Sequence, residues 1–126
     1  MKNNILQLII YLYYFSLITL LILYLYPGSL IGYLFYGNLN KQPNIVHNPV
    51  GTSINHLFCF MYLTILAAIC NLKQTRIFTN LYFILFISIF LETLHYIIPN
   101  RAFELYDLLA NIAEVLIIFL LIKLIK

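Results

Sequence analysis

The chain has 126 residues, of which 63% are hydrophobic and only 9% are charged, and its formal net charge is +3. A soluble domain of this length needs far more polar atoms to cover its surface, so the composition excludes a soluble globular fold and predicts an integral membrane protein. The basic residues are few and scattered, which makes nucleic acid a poor candidate for a partner. Because tryptophan is absent, tyrosine is the expected aromatic anchor at the membrane interface. The tyrosines expected in this role are Tyr11, Tyr13, Tyr24, Tyr26, Tyr33 and Tyr36.

Apolar runs of about 20 residues predict four transmembrane helices, because that length crosses the hydrocarbon core of a bilayer. The predicted helices cover residues 5–26, 54–72, 77–98 and 105–122. The first run is longer than the core of a signal peptide and has no small-residue cleavage site, so we expect a helix that is retained. The sequence therefore predicts an all-α membrane protein made of one domain, residues 1–126.

The segment 27–53, between the first two predicted helices, has the composition of a long loop. It contains all four glycines and three of the four prolines of the chain. Within it, the apolar patch 30–36 predicts a short helix that lies along the membrane interface.

The positions of lysine and arginine predict the orientation, because short cytoplasmic loops collect these residues. With four membrane spans, one side holds Lys2, Lys73, Arg76, Lys123 and Lys126, and the other holds Lys41 and Arg101. Both termini are therefore predicted to be cytoplasmic. The long loop and the turn 99–104 are predicted to face the extracytoplasmic side.

The acidic residues point to a functional site. The chain has four of them, Glu92, Glu104, Asp107 and Glu114, and all fall in its last third. An acidic residue near the middle of a membrane helix is unfavourable by about 2.5–3.5 kcal/mol on insertion scales, before any partner offsets the cost. Polar groups in such a place usually have a task, so we expect a site rather than a solvated face.

Two polar stripes with helical spacing predict where this site lies. The stripes are Ser88, Glu92 and His95 on the third predicted helix, and Asp107, Asn111 and Glu114 on the fourth. Each has the spacing i, i+4, i+7, which places its members on one face of a helix. Two antiparallel helices joined by a short turn can face these stripes toward each other, and His56 begins the second helix at the same membrane level. We therefore expect a shared polar crevice.

The residue types suggest roles within this crevice. Glu92 and His95 are candidate proton carriers, because both titrate near neutral pH when their surroundings shift them; the alternative for Glu92 is a strut between helices. Arg101 either clamps a phosphate or carboxylate of a ligand, or pairs with Asp107 or Glu104 to close the turn. The candidate ligand-binding residues are His56, Arg101, Asp107 and Asn111. Secondary or structural roles are expected for Pro99, Asn100, Glu104 and Glu114.

Glu92 and His95 also have the Glu-x-x-His form that di-metal helical bundles use. Such sites generally need a second copy of this motif and two further glutamates, and the chain has one copy. The sequence therefore predicts neither a metal nor a cofactor.

These same residues give the chain a resemblance to the VanZ-like family of small bacterial membrane proteins, which covers most of the chain from about Ser53 onward. The family pattern has an acid and Gln at the end of one helix, Pro-x-Arg in a turn, and then Asp and Asn. Positions that fit the pattern are Glu92, Pro99, Arg101, Asp107 and Asn111, and His56 fits the last position of an earlier Asp-Lys-x-x-His signature. The chain departs from it at Thr52 and Ser53 in place of Asp-Lys, at His95 in place of Gln, and at Glu114 in place of a frequent Gly.

The resemblance implies a single VanZ-like domain in the bacterial cytoplasmic membrane, a role in the cell envelope and no defined reaction. The family takes its name from a member associated with resistance to teicoplanin. The first functional hypothesis is that the protein binds or modifies an amphiphilic ligand, such as a membrane lipid or a lipid-linked envelope molecule. The second is an accessory subunit of a larger membrane complex, whose polar residues only join helices. A proton or ion pathway through the buried acids is less favoured, because four short helices leave little room for alternating access.

Overall fold

The computed structural model of the protein describes residues 2–43, 47, 51–71 and 77–125, and these residues form five α-helices and no strand. The helices are α1 (Lys2–Leu25), α2 (Leu30–Tyr36), α3 (Gly51–Asn71), α4 (Leu81–Leu94) and α5 (Leu105–Ile125), and a 3-10 turn covers Ile77–Thr79. The prediction of an all-α protein is confirmed for the described residues. The predicted helices 5–26, 54–72 and 105–122 lie at α1, α3 and α5.

Three of these helices are long and apolar enough to cross a membrane. The qualifying segments are Asn4–Leu25, Ser53–Asn71 and Leu105–Leu124. Their outward faces carry large apolar side chains, such as Leu8 and Phe15, which are 67% and 69% exposed. A soluble protein would bury such groups, so these helices indicate a membrane protein.

The predicted helix 77–98 is shorter in the structure, where α4 has 14 residues. A helix of that length extends for about 21 Å, less than the roughly 30 Å of a hydrocarbon core. Its start is fixed by Asn80, whose side chain accepts a hydrogen bond from the Tyr82 N–H. Its end is followed by turns as far as Pro99, because proline disfavours helical conformation in the residue before it.

Residues 27–43 of the predicted loop form a folded segment, which we call the cap. The predicted short helix 30–36 is present in it as α2. Ser29 caps its first turn by accepting a hydrogen bond from the Gly32 N–H (2.9 Å), and Gly37 ends it in the left-handed conformation. The chain then returns, so that the Ser29 N–H donates to the Leu39 carbonyl oxygen (2.7 Å). This hydrogen bond closes the cap on itself.

The core forms where α3 and α4 each pack against α1 and α5, and α3 also packs against α4. The buried stripe of α1 consists of Tyr13, Leu17, Leu20 and Tyr24. Tyr13 and Tyr24 were expected at the membrane interface, but they are 0% and 7% exposed, and the Tyr13 hydroxyl donates to the Phe78 carbonyl oxygen. Their spacing of eleven residues places them on the inward face of α1, which overrides the interfacial preference of tyrosine.

The residues on which the orientation prediction depends lie partly outside the described chain. Lys73, Arg76 and Lys126 are among the residues that the structure does not describe. The predicted cytoplasmic position of both termini therefore stays a prediction.

Gly32 lies where two backbone segments are in direct contact. A Cβ atom at this position would lie 1.5 Å from the Lys41 carbonyl oxygen, so the returning chain packs directly on the glycine. We expect Gly32→Ala to displace residues 38–41 and to lower the free energy of unfolding by about 1–3 kcal/mol, as overpacking typically does. Thermal unfolding in detergent micelles measures this loss.

Gly37→Asn is the matched control for Gly32→Ala. Gly37 also belongs to the cap but has open space around its Cα, and asparagine tolerates its left-handed conformation. Equal melting temperatures for wild type and Gly32→Ala would contradict the close packing of this cap.

Candidate functional site

Glu92 lies at the centre of the candidate site, in the last turn of α4. Its side chain is fully buried, although it is a carboxylate in a strongly apolar protein. Oε1 accepts a hydrogen bond from the Glu104 N–H (3.2 Å) and lies 3.4 Å from His95 Nδ1. Oε2 has no hydrogen-bond partner among the described residues. The carboxylate is thus only half satisfied by the protein, which is costly for a buried polar group.

His56 approaches Glu92 from the second turn of α3, and Asp107 approaches it from the first turn of α5. His56 Nδ1 lies 3.7 Å from Glu92 Oε2 and 3.6 Å from Asp107 Oδ2. Both side chains are buried, with exposed fractions of 6% and 4%. Ser53 fixes Asp107 from one turn before His56, because its hydroxyl donates to Asp107 Oδ1 at 2.5 Å. The structure therefore joins the two predicted stripes and His56 in one cluster, which we call the acid–histidine cluster (His56, Glu92, Asp107).

His95 and Tyr24 close this cluster on the side of α1. His95 Nδ1 faces Glu92 Oε1, and its Nε2 lies 3.3 Å from the Tyr24 carbonyl oxygen. Both contacts are to acceptors, so a protonated ring satisfies both and a neutral ring only one. The Tyr24 ring stacks on the His95 ring with 5.5 Å between centroids and lies 4.9 Å from the His56 ring. His95 thus connects Glu92 with the end of α1.

Arg101 contacts backbone carbonyls rather than an acid. Its Nη2 donates to the Leu23 oxygen (2.6 Å) and its Nε to the Tyr26 oxygen (3.3 Å), at the end of α1. Such carbonyls have no partner within their own helix, and a cation there also complements the helix dipole. Burial lowers the pKa of Arg101, whereas Tyr24 and Glu92 act in the opposite direction. Of the two predicted roles, pairing with Asp107 or Glu104 is not the contact that the structure shows.

The remaining predicted residues lie around the cluster or deeper in the bundle. Pro99 and Asn100 are exposed in the turn before α5, where Asn100 has a left-handed backbone (φ 58°). Glu104 contributes its backbone N–H to Glu92. Asn111 and Glu114 are buried about one and two turns further along α5, beside Tyr24 and Thr64 respectively. Glu114 is therefore part of the predicted stripe but lies deeper in the bundle than Asp107.

Two cavities meet at this site. The larger, of about 400 Å³, is mainly apolar and lies between α1, α2 and α3, with Leu23, Leu30 and Phe58 in its wall. The smaller, of about 80 Å³, is polar and includes His95 and Asp107. Residues that line both cavities are Ser29, Gln42, His56 and Arg101. An apolar space and a polar chamber thus share one wall.

Sequence reasoning missed the parts that Tyr24 and Ser53 play in the site. For Tyr24 a signal exists, because Tyr13, Leu17, Leu20 and Tyr24 follow the spacing of a buried helical stripe. For Ser53 the signal is its position three residues before His56, which places both on one face of α3. Ser29 and Gln42 come from the cap, and no pattern in the sequence connects that segment with the acids.

Comparison with known proteins finds no family model, no curated protein and no solved structure that matches the chain. The resemblance to VanZ-like proteins therefore stays a prediction.

Arg101→Ala tests the contact between the turn and α1. Because two carbonyl oxygens lose a charged donor, we expect the free energy of unfolding to fall by about 2 kcal/mol. Thermal unfolding in detergent micelles measures this change. Lys123→Ala is the control, since Lys123 is an exposed cation in the last turn of α5. Equal melting temperatures for Arg101→Ala and Lys123→Ala would show that Arg101 does not stabilise the end of α1.

Proposed function

We propose that the protein is a VanZ-like membrane protein that binds or modifies an amphiphilic ligand of the bacterial cell envelope. In this proposal it crosses the cytoplasmic membrane four times, with α4 as the shortest span and both termini in the cytoplasm. The site then faces the extracytoplasmic side, as in a role related to glycopeptide resistance. The observation that supports ligand binding is the shared wall of the apolar cavity and the polar chamber.

The apolar cavity suits the tail of such a ligand. Its volume of about 400 Å³ falls within the range of small-molecule sites. A further apolar cavity of about 210 Å³ continues along α1 and α3, and it shares Leu23, Tyr24 and Cys59 with the first. An acyl or prenyl chain that follows both cavities would lie between these two helices.

The polar end suits an anionic headgroup. Arg101 has five N–H donors and uses two of them on α1, so it retains donors for a phosphate or carboxylate. Ser29 and His56 lie in the same shared wall. If the ligand is modified, Glu92 and His95 are the proposed proton carriers, because the His95 ring lies between the carboxylate and a carbonyl oxygen.

The second candidate function is an accessory subunit whose polar residues only join helices. Specific contacts favour it, since Ser53 of α3 bonds to Asp107 of α5, and Glu92 of α4 accepts from the start of α5. Against it stand Glu92 Oε2 and His56 Nδ1, which are buried and have no hydrogen-bond partner in the part of the chain that the structure describes. Residues retained only to join helices would be expected to satisfy each other.

Filling the tail cavity tests ligand binding without touching the polar residues. Cys59 lines both apolar cavities, so Cys59→Trp should exclude a tail from them. We expect native mass spectrometry to detect a defined amphiphile on the wild-type protein and at least about tenfold less on the variant, because a filled pocket removes most of the tail contact.

Ile65→Trp is the matched control, because Ile65 is an exposed apolar residue of the same helix and its side chain faces outward. A defined mass that is retained by Ile65→Trp and lost from Cys59→Trp supports the proposal. If only bulk lipids appear, in equal amounts on all three proteins, the accessory-subunit candidate becomes the better one.

A further inference from the structure

We propose that the acid–histidine cluster binds one divalent transition-metal ion, with His56 Nδ1, Glu92 Oε2 and Asp107 Oδ2 as its protein ligands. One donor atom from each residue lies within 4.8 Å of the others, and all three side chains are buried. The three residues come from the last turn of α4, the second turn of α3 and the first turn of α5. The fold brings these three residues together from distant parts of the sequence. The Glu-x-x-His motif does not predict this cluster, because its His95 is not a member.

The distances within the cluster fit a metal site better than a set of hydrogen-bonded ion pairs. His56 Nδ1 lies 3.6 Å from Asp107 Oδ2 and 3.7 Å from Glu92 Oε2. A charge-assisted hydrogen bond is about 2.7–2.9 Å long, so neither gap is closed by one. Donors around a tetrahedral zinc, each about 2.0–2.1 Å from the ion, are about 3.3 Å apart. The observed gaps are closer to the second geometry.

The carboxylates are also held in the manner of metal ligands, because each has a protein donor at its other oxygen. Ser53 donates to Asp107 Oδ1, and the Glu104 N–H donates to Glu92 Oε1. His95 Nδ1 lies 3.4 Å from that same Glu92 oxygen. Such outer contacts orient a coordinating carboxylate and leave its second oxygen directed at the ion.

Two of the proposed ligand atoms make no hydrogen bond within the described part of the chain. These atoms are Glu92 Oε2 and His56 Nδ1, and both are buried. Among the described residues, the side chains within ion-pair distance of Glu92 are the histidines His56 and His95, so no lysine or arginine there balances its charge. A doubly charged cation would satisfy both atoms and offset the negative charge of the two acids.

The donor set favours zinc among common divalent ions. Magnesium and calcium prefer oxygen ligands alone, whereas zinc combines imidazole with carboxylate. His56 and Asp107 also line the polar chamber of about 80 Å³, which has room for water to complete the coordination. Three protein ligands and an open position are typical of zinc sites that act on a ligand. This inference depends on the cluster alone and does not require the amphiphile.

Zinc binding by the full chain in detergent micelles tests the site. The protein is stripped with chelator, loaded with Zn²⁺, moved into metal-free buffer, and analysed for metal and protein content. We expect about one zinc per chain, in line with a single three-ligand cluster. His56→Gln, Glu92→Gln and Asp107→Asn should each lower zinc affinity by more than about tenfold, because each removes a donor and keeps the side-chain volume.

Two control variants separate this site from incidental binding. His47→Gln removes an exposed histidine and Glu114→Gln removes a buried acid outside the cluster, so both should retain the zinc. X-ray absorption of zinc-loaded wild type needs no variant, and it should show nitrogen and oxygen ligands with one imidazole. No zinc on wild type, equal zinc on the three cluster variants, or a shell with sulfur or several imidazoles would overturn the proposal.

Discussion

The fold is organised around the burial of one carboxylate, that of Glu92, inside an apolar helical protein. A buried carboxylate is tolerated only where hydrogen bonds or opposite charge compensate the loss of water. Here the compensating groups come from other parts of the chain, because His56 lies in the second turn of α3, the Glu104 N–H precedes α5 and His95 follows α4. These contacts hold the end of α4 beside the beginnings of α3 and α5. Among the described residues, Oε2 has no hydrogen-bond partner, so the loss of water is not fully compensated at this oxygen. For this reason we regard the cluster as a binding site.

The end of α1 and the cap complete the surroundings of this carboxylate. Arg101 attaches the turn before α5 to the last carbonyls of α1, while the Tyr24 ring covers both histidines. Within the cap, Gly32 permits direct backbone contact with Lys41. Residues of the cap and of the turn before α5 line the polar chamber together with His56 and Asp107, and the apolar cavity adjoins it along the helices. This arrangement suits a molecule with a charged head and an apolar tail.

The proposed metal and the proposed headgroup also have compatible charges. Glu92 and Asp107 would repel an anionic headgroup, although Arg101 lies in the wall of the same chamber. A divalent ion between the two acids would convert that repulsion into attraction for a phosphate or carboxylate. The donor distances support the ion, and the shared cavity wall independently supports the amphiphile.

Helical periodicity predicted which site residues share one face of a single helix. Spacing placed Glu92 and His95 on one buried face, and it did the same for Asp107 and Asn111. The length of α4 was overestimated, because an apolar run does not reveal the Asn80 cap or the turns before Pro99. The acceptors of Arg101 were not predictable either, since they are backbone carbonyls whose position depends on how α1 packs. Side-chain patterns carry no information about such partners.

The most direct test of a ligand site at Glu92 is the melting temperature of Glu92→Gln in detergent micelles with chelator present. The glutamine keeps an oxygen for the Glu104 N–H and removes the buried charge, and its amide group replaces Oε2, which has no hydrogen-bond partner among the described residues. If the carboxylate is kept for ligand binding at the expense of stability, the melting temperature should equal or exceed that of wild type. A melting temperature lower by more than about 5 °C would show that the negative charge of Glu92, and not only its hydrogen-bonded oxygen, stabilises the fold, and would contradict a site maintained for a ligand.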